Sequence, residues 1–534
     1  MKNKNFLLFR NPINLAFLIS IFYWTYLFLT SRMSISCDAV TYESLGKTLA
    51  QQGWVEFFKI GPNREPLYPA LVAFSMGLGK AFGISYQSIQ VLIQLLLLFL
   101  TQILILQIMR LLKINKLITA LTILYLGISP AIVNSALSLF SEIITYPLIL
   151  AVMLLTYKSW ISLTGRRGRI FLLAIPAGLL FAALTLAKGI FEVVTPVFLF
   201  LFIVSAFFTL NRKIIINILL YSIVFSAVFY PLVNTYKALN KRFNGHFVVT
   251  DRGEWVVYGY TVQRTEPLTT ERFLAGLAYV PGEGVCKSIF GEQKCSFWDF
   301  RKGSRFGMEK MQDLINTKTM STAEVRNTLI WLAKERIQQN PAQYILLTAM
   351  EGAKMFFWES SQMGFVEYPP GLTKLFSWGP FKNGLRLGIS FLLLLVFVCA
   401  GTFFWKERKT VLKTENPSLF SFAEYPAACR RDALLRQGFG EVSSKLEERR
   451  RKGSAAWLRR NEAGYPAACR GENIGASFIY FCLLFIFAFV GCYSLLLIIP
   501  RYILPVAPLH LVIAAYVFQK ILLNKKTVFE ETSI

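Results

Sequence analysis

Apolar runs of about 20 residues recur along this chain, separated by short polar turns, and each is long enough to cross a bilayer as one helix. The runs lie near 13–30, 86–109, 117–135, 139–157, 170–187, 190–209, 214–234, 384–405, 475–499 and 503–522. The pattern predicts an all-α polytopic membrane protein of about ten transmembrane helices. The first run follows Lys2, Lys4 and Arg10. The residues after it, Thr30, Ser31, Arg32 and Met33, show no small-residue cleavage pattern, so it reads as a retained span.

Long polar stretches interrupt this rhythm at three places. Residues 31–85 follow the first run, and within them 66–83 is apolar enough to suggest a helix lying at the membrane interface, with Lys80 toward water. Residues 235–383 form a region large enough for a small mixed α/β domain. Its opening, 244–260, alternates and is β-branched, which reads as strand or hairpin. Residues 322–338 have helical spacing with Thr322 or Ser321 as cap, and Asn340–Pro341 ends that helix and starts another over 341–358. The chain thus divides into an N-terminal membrane module (1–234), the 235–383 region, and a C-terminal membrane module (384–534).

The third polar stretch, about 410–474, interrupts that last module. Glu-Tyr-Pro-Ala-Ala-Cys-Arg at 424–430 returns as Gly-Tyr-Pro-Ala-Ala-Cys-Arg at 464–470, with the basic run Arg449 to Lys452 between. Two short copies make no solenoid. They suggest a translated repetitive element (about 424–471) spliced into a loop, and its composition gives it little to bury. The other reading is a basic regulatory segment that rests on anionic lipid.

Charge fixes the expected orientation. The chain is 54% hydrophobic with net charge +26, but its Lys and Arg are spread over many turns. Arg110, Lys113 and Lys116 share one turn, and Lys158, Arg166, Arg167 and Arg169 the next basic one. Arg212 with Lys213, then Lys406, Arg408, Lys409 and Lys413, then Lys525 with Lys526 continue the series. The positive-inside rule places all of these in the cytoplasm, and 31–85 and 235–383 outside. A nucleic-acid partner is not expected, since no single basic face forms. The lipid bilayer is the implied partner.

Cys286 and Cys295 lie in the outer region, where a disulfide between them is as plausible as two free thiols. Cys399, Cys482 and Cys492 read as packing residues inside spans. The only histidines are His246 and His510, with no CxxC or HExxH, so neither a His-built metal site nor a Ser/His/Asp triad is expected. No cofactor is called for.

The residues that suggest chemistry are charges at the membrane edge, where a charge is costly and needs a reason. Asp38 follows the first span and suits either a helix cap or a general base. Arg64 and Glu65 lie in the same loop, and Glu142 opens the fourth span. Lys188 sits in the turn between the fifth and sixth spans, where Glu192 is a possible partner. Arg501 opens the last span and is placed to snorkel toward headgroups. Singly each has an ordinary reading. Jointly, a carboxylate with several cations on one face suits the handling of a lipid-anchored phosphate while an acceptor is activated.

The order of these motifs resembles the membrane glycosyltransferases of the GT-C fold, in the branch of protein O-mannosyltransferases and the lipid A aminoarabinose transferase. The likeness rests on Asp38, then Arg64 to Pro69 (Arg-x-Pro-Leu-Tyr-Pro), Ser141-Glu142, Gly178 to Lys188, Asn340-Pro341, and Arg501 to Pro505 (Arg-Tyr-x-x-Pro). It covers the chain except the insert. It implies transfer of a sugar from a polyprenyl-phosphate donor to a cell-envelope acceptor, at the outer face of a bacterial inner membrane. Asp38 is then the base, and Lys188, Arg501 and Arg64 hold the donor phosphate. Two departures stand out. The family often has two adjacent acids where this chain has Cys37-Asp38, so a partner acid would be Glu65 or Glu142. The position usually filled by Arg is Lys188, a point charge without the bidentate fork. The alternatives are a lipid or solute transporter and an inactive GT-C-like scaffold. A transporter would need charges near the bilayer middle and broken helices in repeated halves, and the sequence shows neither.

Overall fold

A computed structural model of the protein describes residues 11–162, 167–207, 212–251, 253–318, 320, 322–359, 365–413, 467–495 and 500–531. It is mostly helical. Along the first membrane module run α1 (Pro12–Thr30), the short strand β1 (Arg32–Met33), α2 (Asp38–Ile60), α3 (Leu67–Phe82), α4 (Tyr86–Leu111), α5 (Lys116–Ile128), α6 (Pro130–Leu137), α7 (Glu142–Ser162), α8 (Arg167–Ala187), α9 (Ile190–Phe207) and α10 (Arg212–Asn244). The region that follows holds α11 (Gly253–Thr265), α12 (Thr270–Tyr279), α13 (Glu283–Cys295), α14 (Phe300–Lys318), α15 (Thr322–Gln339), α16 (Pro341–Ala353) and β2 (Val366–Glu367). Then come α17 (Pro370–Ser377), α18 (Gly379–Lys413), α19 (Ala467–Ser494) and α20 (Ala507–Glu531).

Among the described residues, eight helices are long and apolar enough to cross a membrane, or nine when the bent pair α5–α6 is taken as one span. Of the ten expected spans, the one near 190–209 runs past the described residues at its end. Its described apolar stretch is Ile190–Val204, within a helix that runs to Phe207. Helix α3, the expected interfacial segment, is short, at 16 residues or about 24 Å. Polar side chains nevertheless draw it into the bundle. Tyr68 donates to Gln94 Oε1, Ser75 to Gln90 Oε1, and Gln94 in turn to the carbonyls of Ala136 and Ser138. In an apolar surround such bonds fix both depth and rotation of a helix.

The run expected as one span near 117–135 is broken. Helices α5 and α6 meet at Ser129 with a bend of 49°. Pro130 supplies no amide proton, so the helical ladder cannot continue through it. The Gly127 carbonyl at the break accepts from Trp24 Nε1 of another element. Glu359, fully buried and arriving from the region after α16, accepts from Ser129 Oγ (2.8 Å), the Ala131 amide (3.1 Å) and the Tyr125 hydroxyl. The sequence reading found no broken helix, because the run itself is unbroken in its apolarity.

The 235–383 region departs from expectation in kind. Among the described residues of 244–260 no strand forms: loop residues precede α11, and the only described pairing in the region is β2 with β1, antiparallel, Arg32 opposite Glu367 and Met33 opposite Val366. Helix α11 is buried nearly all round, at Val256, Tyr258, Gly259, Tyr260, Thr261 and Val262, so it carries no polar stripe to betray a 3.6-residue period. The helices expected over 322–338 and 341–358 form as α15 and α16, with Asn340 capping the latter, although α16 ends at Ala353. Cys286 and Cys295 are disulfide-bonded. The insert lies almost wholly outside the described residues.

Candidate functional site

Five segments distant in sequence meet at one place: the start of α2, the loop before α3, the start of α7, the turn between α8 and α9, and the short 3-10 turn Pro500–Val506 that leads into α20. They bring Asp38, Arg64, Glu65, Glu142, Lys188 and Arg501 into a single cluster.

Asp38 is its centre. The cap position of α2 is Cys37, whose side chain makes no cap hydrogen bond, and Asp38 is the first helical residue. Its carboxylate is gripped from both sides. Arg64 Nη2 donates to Oδ1 at 2.5 Å, and Arg501 Nη2 donates to Oδ2. Each guanidinium also lies on aromatic rings, Arg64 on Tyr42 (5.0 Å) and Arg501 on Phe140 (4.9 Å), Tyr502 and Phe365. Arg501 therefore turns inward to the carboxylate and does not snorkel to headgroups. The Nε atoms of both arginines are buried and without a hydrogen-bond partner among the described residues. Two buried donors left open beside one carboxylate are costly, and an anion entering the cluster would satisfy them. The Asp38 side chain is 24% exposed, so the cluster reaches solvent.

Lys188 pairs with Glu142 at 2.8 Å, not with Glu192, which pairs with Lys237. Glu142 is only 2% exposed. Burial alone would drive the Lys188 ammonium toward neutrality, but Glu142 together with Tyr493, Tyr42 and Tyr502 outweighs it and raises the pKa, so the lysine stays charged. Burial likewise opposes the charge on Arg64, and its neighbours Tyr42, Asp38 and Glu65 more than compensate.

Glu65 Oε1 accepts the Gly189 amide at 2.7 Å and so ties the loop carrying Arg64 to the turn carrying Lys188. Glu142 is equally committed, to Lys188.

Sequence reasoning missed four aromatic members. Tyr42 lies one helical turn after Asp38, donates to Ser141 Oγ at 3.1 Å, and has its phenol pKa raised by burial. That i, i+4 spacing was a readable signal. Tyr502 lies near both Lys188 and Arg501, and Phe140 and Phe365 pack edge to face at 4.7 Å beneath the Arg501 guanidinium. Phe365 has no sequence signal at all. It is delivered by the β1–β2 pairing, where Ser34 N donates to its carbonyl.

None of the protein-family models, curated proteins or solved structures compared with the chain matches it.

Proposed function

We propose that the chain is a membrane glycosyltransferase of the GT-C type. It transfers a sugar, with inversion, from a polyprenyl-phosphate donor to a cell-envelope acceptor (glycolipid, polysaccharide or protein) at the outer face of a bacterial inner membrane. The observation that carries this reading is the carboxylate of Asp38 held between two arginines whose buried Nε donors lack partners. The basic-turn pattern supports the outward orientation.

The geometry suggests an order of events. Without donor, Arg64 and Arg501 rest on Asp38 and occupy both of its carboxylate oxygens. The donor phosphate competes for both guanidinium groups, which present forks suited to phosphate, and the carboxylate is released. Asp38 then accepts the proton of the acceptor hydroxyl as its oxygen bonds to the anomeric carbon. The bond from that carbon to the phosphate oxygen breaks, its electron pair stays on the lipid phosphate, and Arg64, Arg501 and Lys188 stabilise the charge that grows there.

Asp38→Asn is the test, in purified protein reconstituted with radiolabelled polyprenyl-phosphate sugars and envelope fractions. Loss of general-base catalysis lowers transfer by about 10²–10⁴-fold, measured on variant protein whose folding is checked by thermal unfolding. Turnover within about twofold of wild type would leave Asp38 as an ion-pair partner of Arg64 and Arg501 and not the base.

The broken span α5–α6 with its buried Glu359 favours one other reading, a lipid or solute transporter. Movement of labelled lipid across a vesicle bilayer with no covalent product would select it. An inactive scaffold would give neither.

A further inference from the structure

We propose that the region between α10 and α18 carries a second anion site, a cleft among α12, α13 and α14 that takes the phosphate group of a phosphorylated saccharide. The cleft has a volume of about 690 Å³ and shares no residue with the cluster at Asp38.

Its cations are aimed by packing. Gly303 and Gly307 lie one turn apart on α14 and press against α11. A Cβ on Gly303 would come within 2.8 Å of Gln263 Oε1, and one on Gly307 would strike the Trp255 carbonyl. Arg301 and Arg305 lie two residues before those glycines, about 200° around the helix. They are therefore turned away from α11 and into the cleft. Across from them, Arg272 and Lys302 both lie on the ring of Phe297, at 4.7 and 4.2 Å, which holds two like charges close together. The disulfide between Cys286 and Cys295 ties down the end of α13, which supplies Lys294.

The cleft keeps an excess of positive charge. Glu266 is shared by Arg272 and Lys302, Glu271 pairs with Lys294, and Asp299 with Arg301. Three carboxylates thus face five cations. All these pairs are partly exposed, so each is weak and open to competition by a more highly charged anion. The arginine forks favour phosphate over a single carboxylate. The volume far exceeds that of an ion and suits a small ligand, and Thr269, Gln293 and Ser296 offer partners to sugar hydroxyls. A role for the cleft in holding the acceptor rests on the transferase reading above. Binding itself does not.

The experiment uses the full chain in phosphatidylcholine nanodiscs, titrated calorimetrically with glucose 6-phosphate. Glucose, glucuronate and glycerol 3-phosphate are run in parallel. The variant is Arg301→Glu/Arg305→Glu, at two exposed positions, checked by thermal unfolding. Asp38→Asn serves as the control, since it alters the other cluster and leaves the cleft intact. The expected result is glucose 6-phosphate affinity at least tenfold weaker in the charge-reversed variant and within twofold of wild type in Asp38→Asn. Equal affinity in wild type and the charge-reversed variant overturns the site. Glucuronate or glycerol 3-phosphate binding as tightly as glucose 6-phosphate overturns the assignment to a phosphorylated saccharide. Absence of sugar transfer by the wild-type protein, with cleft binding intact, sinks the transferase reading alone.

Discussion

Lys188 and Glu142 form a pair that is nearly closed to water, at 12% and 2% side-chain exposure. Removing one member strands the other charge, so Lys188→Ala and Glu142→Ala should each destabilise the protein by about 3–5 kcal/mol. The double variant should cost clearly less than the sum of the two. Thermal unfolding of all three in detergent measures this, and additivity would mean that the two side chains do not interact. The same pair explains how much of the cluster is readable in a sequence. A charge beside an apolar run announces itself, which is why Asp38, Arg64, Lys188 and Arg501 stand out. Its partner does not. Lys188 lies four residues before Glu192 yet bonds to Glu142, 46 positions away, because the meeting of α7 with the α8–α9 turn decides the matter.

Among the elements, the broken span shows what one carboxylate can hold together. Glu359 accepts from two hydroxyls and the Ala131 amide where α5 gives way to α6. Glu359→Ala strands those donors, at about 1–3 kcal/mol for each buried group left unsatisfied, whereas Glu359→Gln keeps one acceptor oxygen and should lose less than half as much. Hydrogen exchange at the Ala131 amide reads the effect locally, and unchanged protection in Glu359→Ala would show that the carboxylate is not what secures the break. Sequence periodicity finds the two arms of such a span and misses the joint, since Ser129 and Pro130 occupy too little of an apolar run to interrupt it. It failed differently at α11. There β-branched residues buried on every side imitate a strand, and only the neighbouring helices, which the local sequence does not contain, settle the outcome.

For the molecule as a whole, sidedness decides whether the cluster at Asp38 can meet an envelope acceptor. Cys37 is an exposed free thiol next to it. A membrane-impermeant maleimide applied to intact cells should label Cys37 and should not label a cysteine placed at Gly165. Labelling at 165 from outside would invert the topology and remove the proposed chemistry with it. Deletion of residues 424–470 tests the insert: transfer by the shortened chain should stay within about twofold of full length, because loop closure costs grow only with the logarithm of length. Loss of transfer with normal membrane insertion would show that the segment has acquired a task. One bond has a consequence for the life of the protein. The two groups that grip Asp38 from opposite sides are made far apart in time, for Arg501 leaves the ribosome 463 residues after the aspartate it holds. Throughout synthesis Asp38 waits in a half-built membrane protein. A chain cut short between Lys188 and its last hairpin carries the carboxylate, Arg64 and the lysine, but not the grip that joins the first span to the last. Under the proposed function, translation itself is then a safeguard, since an unfinished copy lacks the arginine that completes the cluster.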